Sequence, residues 1–453
     1  MEGNLAGKKV LVMGLGRFGG GVGVSKWLAS QGARVTVTDT ARPDELAESV
    51  AKLQGLDITF KLGGHAVEDF TSADLLIINP AVDKGHSEFV QAALRAGVPY
   101  TTEMNLFLER CRAITIGITG SVGKSTTTAL IHEALKAGAA AKVFLGGNIG
   151  RSLLQELPAI GERDLVVLEL SSFMLEETPV ISWSPDIAVV TNIFPNHLDR
   201  HGTMAAYSAA KQNILRFQKP DDYAILNNDH ELVSRWQHLA RARVIKFTTR
   251  VTAIKQLQLA MPGDHNRSNA AAALAVLDAL EAMQVRINRA AALHAMEQFP
   301  GLAHRLQLVH TWHIAGTSRA IRFYNDSKAT TPDASLTALE AFEPRTPVFI
   351  VGGYDKHIDL SPFTDALAKN AGAVLGIGQT GNAMVEAIRE IPAAPLAEYV
   401  ETLENAMMRA RELLPTDPKL TSVVLSTASA SWGQFANYEK RGQLFAQLAQ
   451  ERF

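Results

Sequence analysis

The stretch ITIGITGSVGKSTTT, residues 114–128, decides the fold, because an apolar, β-branched run leads into a glycine-rich turn and then into Lys124, Ser125 and a helix. A strand that ends at such a turn directs backbone N–H groups at whatever lies beyond it, and Lys124 adds a positive charge there. The general phosphate-binding loop has a glycine six residues before its lysine, whereas position 118 here is Ile. The stretch therefore predicts a variant of the polyphosphate-binding loop.

Length and composition indicate a multidomain globular protein. At 453 residues, the chain exceeds what one hydrophobic core usually supports and suggests about three domains. Hydrophobic residues make up 47% and charged residues 20%, and the formal net charge is -2. No global field attracts nucleic acid or an anionic membrane. We therefore expect neither as a partner, and any anionic ligand must be bound by local sites.

The compartment is predicted from cysteine usage and from the apolar runs. Cys111 is the single cysteine of the sequence, which excludes internal disulfides and fits a reducing environment. The apolar run 10–13 ends at Gly14, as a buried strand would, and is typical of neither a signal peptide nor a membrane span. We expect a cytoplasmic protein.

The order of elements predicts an α/β fold of three sequential α/β domains. Strand, glycine turn, helix and strand follow one another over residues 9–38, and further buried-strand patterns recur to the end of the chain. The prediction is a Rossmann-like N-terminal domain over 1–107, a central P-loop ATPase-like domain with a mostly parallel sheet over 108–302, and a Rossmann-like C-terminal domain over 303–453. Ligands bind at the carboxyl ends of strands in such sheets.

The first glycine-rich loop predicts a nucleotide site without identifying the nucleotide. Residues 14–19, GLGRFG, match the GxGxxG pattern, and Asp39 ends the next strand at the spacing of a ribose-binding acid. That spacing favours NAD, whereas a nucleoside diphosphate near Asp39 fits the long glycine run equally well. A purely structural turn is the third alternative.

Four residues of the central domain carry the predicted phosphate chemistry. Lys124 is expected to contact the β- and γ-phosphates and the Ser125 hydroxyl to bind Mg²⁺. Glu169 ends an apolar strand, where a second Mg²⁺ contact would satisfy an otherwise costly buried carboxylate. His197 follows a strand end in the same domain and is predicted to join the metal site. The spacing of Lys211 alone is typical of a solvated helix lysine.

Motifs distributed over nearly the whole chain resemble those of the Mur ligase family in order and spacing. They are TGSVGKS (119–125), GGNIG (146–150), NHLDRHGT (196–203), YSAAK (207–211), GDHN (263–266), GLAHR (301–305) and NDSKAT (325–330). The segment SASWGQFANYEKRG (429–442) resembles the branch of this family that accepts D-glutamate.

The resemblance implies an ATP-dependent acid–amino-acid ligase of peptidoglycan precursor synthesis. ATP would phosphorylate the carboxylate of UDP-N-acetylmuramoyl-L-alanine, and the amine of D-glutamate would attack the acyl phosphate, releasing ADP and phosphate. Metal and lysine charges have to bring the two anions together. By resemblance, two Mg²⁺ ions are needed and Lys211 is an N6-carboxylysine, a carbamate that helps to hold the second ion. A monomer is expected.

The resemblance also implies roles for individual residues. The expected catalytic residues are Lys124, Glu169, His197 and Lys211, and the metal ligands are Ser125, Glu169, His197 and carbamylated Lys211. The expected ATP-binding residues are Gly120, Ser121, Gly123, Lys124, Ser125, Thr126, Asn266, Asn269, Arg305 and Asp326. The expected UDP-substrate residues are Gly16, Arg17, Phe18, Asp39, Thr40 and Asn148. The expected amino-acid-binding residues are Lys328, Thr330, Lys356, Ser431 and Tyr438.

Several positions depart from the family pattern, and several alternatives stay open. Val122 stands where the phosphate loop commonly has asparagine, and Trp432 and Tyr438 stand where smaller or purely apolar residues are frequent. The acceptor could therefore differ, as in another Mur-type or a folylpolyglutamate-type ligase. An NAD-dependent oxidoreductase would explain only the first loop, and a non-catalytic nucleotide-binding module would bind ATP without releasing phosphate.

Overall fold

The computed structural model describes residues 4–16, 20–79, 82–150 and 152–453, which form three sheets with helices between the strands. The predicted α/β fold class with mostly parallel sheets is confirmed. Helices alternate with the strands because neighbouring parallel strands need a crossover connection, which is usually a helix.

The first sheet is entirely parallel and has the order β3-β2-β1-β4-β5. Its strands are β1 (Lys9–Met13), β2 (Arg34–Asp39), β3 (Ile58–Leu62), β4 (Leu75–Ile78) and β5 (Tyr100–Thr101). Its helices are α1 (Gly20–Ser30), α2 (Ala47–Ala51), α3 (Val67–Thr71), α4 (Glu88–Arg95) and α5 (Glu103–Leu108). The continuous apolar runs of β1 and β4 are buried on both faces, as expected of parallel strands.

The second sheet is also parallel, with the order β11-β10-β9-β6-β8-β7. Its strands are β6 (Ile114–Thr119), β7 (Val143–Gly147), β8 (Leu165–Glu169), β9 (Ile187–Val190), β10 (Tyr223–Asn227) and β11 (Arg243–Phe247). The helices along this part of the chain are α6 (Lys124–Gly138), α7 (Ser172–Leu175), α8 (Leu198–His201), α9 (Met204–Arg216), α10 (Glu231–Arg235), α11 (Thr252–Gln256), α12 (Asp264–Ala282) and α13 (Arg289–Gln298). Short 3-10 helices lie at Leu154–Ala159, Thr178–Ile181 and Trp236–His238.

The third sheet has the order β12-β13-β17-β14-β15-β16, and its edge strand β12 pairs antiparallel with β13. Its strands are β12 (Gln307–His313), β13 (Ala320–Asn325), β14 (Pro347–Val351), β15 (Ala373–Ile377), β16 (Leu396–Glu401) and β17 (Ser422–Leu425). Its helices are α14 (Pro332–Leu339), α15 (Ser361–Asn370), α16 (Gly378–Arg389), α17 (Leu403–Thr416) and α18 (Tyr438–Arg452).

The chain forms two compact units. The first unit contains Met1–Val251 and Ser268–His294, and the second contains Thr252–Arg267 and Ala295–Phe453. Within the first unit, one hydrophobic core includes residues of both sheets, among them Val12 of β1 and Val166 of β8. The predicted domain boundaries after residues 107 and 302 stay predictions. Among the described residues, no helix combines the length and apolar character needed to cross a membrane.

Candidate active site

The predicted phosphate loop connects the carboxyl end of β6 to the first turn of α6, in the middle of the second sheet. Two of its glycines have no room for a side chain. A Cβ at Gly120 would lie 2.0 Å from Thr191 Oγ1, and one at Gly123 would lie 2.8 Å from Asn269 Oδ1. Gly123 also has a φ of 81°, which L side chains rarely adopt. The surface of the loop is therefore formed by backbone.

The segment that follows β9 holds this loop in place. The Asn192 Oδ1 atom accepts hydrogen bonds from the backbone N–H groups of Ser121 (3.1 Å) and Val122 (2.9 Å). The Asn192 side chain also donates to the Val122 carbonyl at 3.0 Å, as does the Thr191 hydroxyl. Sequence reasoning gave no role to Thr191 or Asn192, although both follow a strand that neighbours β6. Because β9 and β6 are parallel neighbours, the residues that follow them lie at the same edge of the sheet, and this position could have predicted the contact.

Side chains of the loop make further contacts. Ser121 Oγ accepts from the Phe194 N–H at 2.8 Å and lies 3.0 Å from the Tyr207 hydroxyl, while Lys124 Nζ donates to the Ser121 carbonyl at 3.0 Å. Ser125 and Thr126 are half-buried in the first turn of α6, where N–H groups have no acceptor within the helix. The Val122 side chain is 56% exposed. Valine at this position therefore leaves the backbone hydrogen bonds of the loop intact.

Glu169, at the end of β8, is a buried carboxylate with one unsatisfied oxygen. Its side chain is 1% exposed, and Oε1 accepts a hydrogen bond of 3.0 Å from Asn148 Nδ2. Oε2 is buried and has no hydrogen-bond partner within the described part of the chain. A buried carboxylate oxygen without a hydrogen-bond donor is unfavourable, and a bound cation would stabilise it. The contact also joins Asn148, an expected UDP-substrate residue, to an expected metal ligand.

Lys211, on α9, is buried beside the phosphate loop. It is 1% exposed, and its Nζ donates to the Gly120 carbonyl at 2.8 Å. Burial and the positive charge of Lys124 lower its pKa to about 7, although Glu169 partly opposes the shift. The solvated helix lysine that spacing alone suggested is therefore wrong. A lysine with this pKa spends a large fraction of its time as a neutral amine near neutral pH.

His197 lies just before α8, in a left-handed conformation with a φ of 53°, and its side chain is exposed. Its ring centroid is 5.1 Å from that of Phe173, and the buried His201 stacks on the same phenylalanine at 5.3 Å. His201 contacts Ser172 Oγ at 3.0 Å, and burial lowers its pKa. Sequence reasoning gave no role to Phe173 or His201.

The predicted metal ligands do not form a ready-made cluster. Within the described ranges, no three His, Cys, Asp or Glu side chains come together as a metal site would require. The predicted set contains only Glu169 and His197 of these types, since Ser125 and Lys211 supply a hydroxyl and an amine. The unsatisfied Glu169 oxygen is the feature that fits Mg²⁺, and the magnesium site stays a prediction.

A cavity of about 370 Å³ lies within the first unit, and its lining includes Asn148, the hydrogen-bond partner of Glu169. Its polar lining includes Asn79, Glu103, Asn148 and Ser152, and Gly14 adds bare backbone. The Ser152 hydroxyl donates to the Glu103 carboxylate, whose pKa is raised by burial. Asn148 thus lines the same cavity as Gly14 of the first glycine-rich loop and also contacts Glu169.

Asp39 organises the first glycine-rich loop. Its Oδ2 accepts from the N–H groups of Leu15 (2.9 Å) and Gly16 (3.1 Å), and its Oδ1 accepts from Ala41 at 2.9 Å. Gly16, Asp39 and Thr40 do not line the 370 Å³ cavity. Arg17 and Phe18 lie outside the described residues. The assignment of these five residues to the UDP-substrate site stays a prediction.

The two asparagines predicted near the adenine have different surroundings. Asn269, in the first unit, accepts a hydrogen bond from the Thr127 hydroxyl at 3.0 Å and touches the phosphate loop at Gly123. Asn266, in the second unit, is buried and donates to the Pro262 carbonyl at 2.7 Å.

In the second unit, Asp326 is buried after β13, where its carboxylate accepts from Ser426 Oγ at 2.7 Å and from the Leu306 N–H at 3.1 Å. Burial raises its pKa to about 7, against the lowering effects of these hydrogen bonds and of Arg305 and Arg441. Arg305 is exposed, so its charge is available to a ligand. Asp326, which is expected to bind the ribose, and Arg305, which is expected to bind the phosphates, are thus close enough to interact.

The expected amino-acid site combines lysines with aromatic rings. Lys356 Nζ lies 4.9 Å from the centroid of the Trp432 ring, and Lys328 Nζ lies 5.5 Å from that of Tyr438. Thr330 and Lys356 line one small pocket, whereas Ser431 is buried and accepts from the Phe435 N–H through its carbonyl at 3.0 Å. Trp432 and Tyr438, the two aromatic residues that differ from the family pattern, therefore each contact a lysine that is predicted to bind the ligand.

Two family models and several named proteins are similar to this chain. Residues 118–255 match the Mur ligase middle domain, and residues 8–102 match the MurD-like N-terminal domain of Mur ligases. The chain is 36% identical to the UDP-N-acetylmuramoylalanine–D-glutamate ligase of Roseiflexus sp. (strain RS-1), over 98% of this chain and 99% of the relative. It is 36% identical to the ligase of the same name from Pelotomaculum thermopropionicum, over 97% of each chain.

The fold is similar to that of a solved Mur ligase. The UDP-N-acetylmuramate-alanine ligase of Thermotoga maritima superposes with a TM-score of 0.55 at 22% identity, over 98% of this chain and 99% of that one. The nearly full-length matches to relatives that are 36% identical show that the chain belongs to the Mur ligase family.

Proposed function

We propose that this Mur ligase uses ATP to join D-glutamate to UDP-N-acetylmuramoyl-L-alanine in peptidoglycan precursor synthesis. The observation that carries the proposal is the burial of Glu169 and Lys211 beside a backbone-lined phosphate loop. Relatives named for this reaction, similar over nearly their whole length, support it. An NAD-dependent oxidoreductase would leave both buried groups without a role.

The reaction needs an activated carboxylate. A carboxylate oxygen of the donor attacks the γ-phosphorus of ATP, the bond to the ADP oxygen breaks, and an acyl phosphate forms. The D-glutamate amine then attacks the acyl carbon, the phosphate leaves, and the nitrogen loses a proton to give the amide. Lys124 and the N–H groups at the start of α6 bind the phosphates and stabilise charge that develops on them.

Lys211 is proposed to act as a carbamate. Its neutral amine adds to carbon dioxide and loses a proton, which converts a cation into an anion. The pKa of about 7 supports this step, because it makes the neutral amine available near physiological pH. The group would then attract a cation at the loop, where an ammonium would repel it.

Mg²⁺ is proposed to be held by Ser125, Glu169, His197 and carbamylated Lys211, at two sites. When bound, it would neutralise the phosphate oxygens and the donor carboxylate as they approach. The unsatisfied Oε2 of Glu169 supports this assignment. Glu169 in turn orients Asn148, which faces the cavity, so the acid connects the metal site with the proposed donor site.

The acceptor is proposed to bind in the second unit, at Lys328, Thr330, Lys356, Ser431 and Tyr438. Lysines and hydroxyls suit an amino acid with two carboxylates. In the same unit, Asp326 and Arg305 are proposed to bind the ribose and phosphates of ATP. A cytoplasmic location and a monomeric state stay predictions, the former supported by the use of ATP.

The test is phosphate release from ATP and Mg²⁺ in the presence of UDP-N-acetylmuramoyl-L-alanine and a panel of amino acids. We expect release with D-glutamate and much less with L-glutamate or with other amino acids. Release with a different acceptor would identify another Mur-type ligase. The absence of release with every acceptor would contradict the ligase assignment.

A further inference from the structure

Four charged residues of the first unit form two ion pairs, which join residues 83 and 84 to α8 and to the turn that follows α7. Lys84 pairs with Glu177, and Arg200 lies 3.8 Å from Asp83. We refer to Asp83, Lys84, Glu177 and Arg200 as the clasp. We propose that the clasp positions Asn79, and thereby sets the affinity for the UDP-linked donor. This inference rests on the proposed function.

The Lys84–Glu177 pair is mostly withdrawn from water. The side chains are 25% and 4% exposed, and Lys84 Nζ also donates to the Tyr100 hydroxyl at 3.2 Å. Screening by solvent is weak for such a pair, and removal of one partner leaves an uncompensated charge. The pair therefore constrains its surroundings more than a surface ion pair would.

The backbone at both ends of this pair is also held. The Lys84 carbonyl accepts a hydrogen bond of 2.7 Å from Gln91 on α4, and the Glu177 carbonyl accepts one of 2.8 Å from Asn105 on α5. Neither partner can shift without breaking contacts to a helix of the first sheet. The pair thus fixes the position of Lys84 relative to the turn at Glu177 that follows α7.

Two hydrogen bonds connect Arg200 to Asn79 through Val82. Its Nη2 donates to the Val82 carbonyl at 3.2 Å, and the Val82 N–H donates to the Asn79 carbonyl at 2.9 Å. Asn79 lines the 370 Å³ cavity together with Asn148. A short chain of contacts therefore leads from Arg200 to a wall of the proposed donor site.

The same arginine lies near His197, the predicted metal ligand just before α8. Its guanidinium lies 5.9 Å from the centroid of the Phe173 ring, which is 5.1 Å from that of His197. Arg200 therefore connects the clasp both to Asn79, in the wall of the proposed donor site, and to Phe173, which lies beside His197. All four members act as positioning residues, since none lines the cavity.

The test uses charge reversal and direct binding. Lys84→Glu and Glu177→Lys each place like charges together, whereas the double variant restores an opposite pair with reversed polarity. We expect each single variant to bind UDP-N-acetylmuramoyl-L-alanine about tenfold more weakly, without ATP or D-glutamate, and the double variant to recover most of this loss. Arg200→Gln, which removes the charge from the second ion pair, should also weaken donor binding.

The KM values for ATP and D-glutamate should change little in these variants. The matched control is Arg112→Glu, which reverses one partner of an exposed pair with Glu162 (80% and 75% exposed) and should leave donor binding unchanged. Lower thermal stability with unchanged donor affinity, in the Lys84 and Arg200 variants alike, would overturn the inference while leaving the proposed function intact. Failure of the unmodified protein to bind this donor would overturn both.

Discussion

The Nζ atom of Lys211 donates a hydrogen bond of 2.8 Å to the carbonyl oxygen of Gly120. This contact ties α9 to the phosphate loop, whose own lysine, Lys124, donates to the Ser121 carbonyl. Burial and the positive charge of Lys124 lower the pKa of Lys211. The lowered pKa favours the neutral amine, which is the form that would react with carbon dioxide.

Replacement of Lys211 tests the proposed carbamate. Lys211→Ala should lose at least about 100-fold in kcat, because both the anion and its contact to the loop disappear. Short carboxylates such as formate or acetate should restore part of the activity by occupying the space left by the side chain. Activity of Lys211→Ala that equals that of the unmodified protein without added carboxylate would exclude the carbamate role.

The pKa of Lys211 also predicts how stability depends on pH. In the unfolded chain a lysine has a pKa near 10.4, whereas in the folded protein the pKa of Lys211 is about 7. Between these values the unfolded chain binds more protons, so the free energy of unfolding should rise with pH, by at most about 1.4 kcal/mol per pH unit from this group. Urea denaturation at pH 7 and pH 9, in carbon dioxide-free buffer, measures the rise.

The matched variant for this measurement is Lys211→Met, which keeps the side-chain length without the amine. Its free energy of unfolding should change less between pH 7 and pH 9 than that of the unmodified protein. An equal change in the two proteins would show that the pKa of Lys211 is not lowered.

Asn192 is predicted to preorganise the phosphate loop. Asn192→Ala removes the acceptor for two loop N–H groups and a donor to Val122. We expect the KM for ATP to increase about tenfold, with a smaller change in the KM for the donor. Steady-state kinetics check this, with Asn228→Ala as the control, since Asn228 is exposed in the turn that follows β10 of the same sheet. Unchanged ATP kinetics would show that the loop keeps its shape without Asn192.

Trp432 is predicted to influence acceptor binding through Lys356. The indole lies under the ammonium and packs edge-on against Tyr354 at 5.6 Å. Trp432→Leu should raise the KM for D-glutamate about three- to tenfold and leave the KM for ATP unchanged. Tyr399→Leu, at another exposed aromatic residue of the second unit, is the control. An equal effect on both substrates would mean that Trp432 acts through stability.

Much of the fold could be predicted from the sequence because parallel strands buried on both faces appear as continuous apolar runs. The runs at 10–13, 75–78 and 223–227 all fall within strands of the structure. The phosphate loop was also predictable, since its glycines and Lys124 are contiguous. What contiguous patterns cannot show is contact between separate segments, such as Asn192 with the loop or Lys84 with Glu177.

The burial of Lys211 could not be predicted from helical spacing either. One helical lysine resembles another in spacing, and only the packing of α9 against the β6 loop reveals its burial. The family resemblance supplied the role that periodicity could not. Asp39 shows the complementary case, because its spacing predicts a ribose contact while the structure shows both oxygens engaged by backbone N–H groups.

The central claim is that the donor carboxylate is activated as an acyl phosphate at the loop of Lys124. The most direct measurement labels that carboxylate of UDP-N-acetylmuramoyl-L-alanine with ¹⁸O and follows the label by mass spectrometry during the reaction with ATP and D-glutamate. We expect one ¹⁸O atom to appear in the released phosphate for each amide formed. Amide formation with unlabelled phosphate, or phosphate release without an amide, would contradict it.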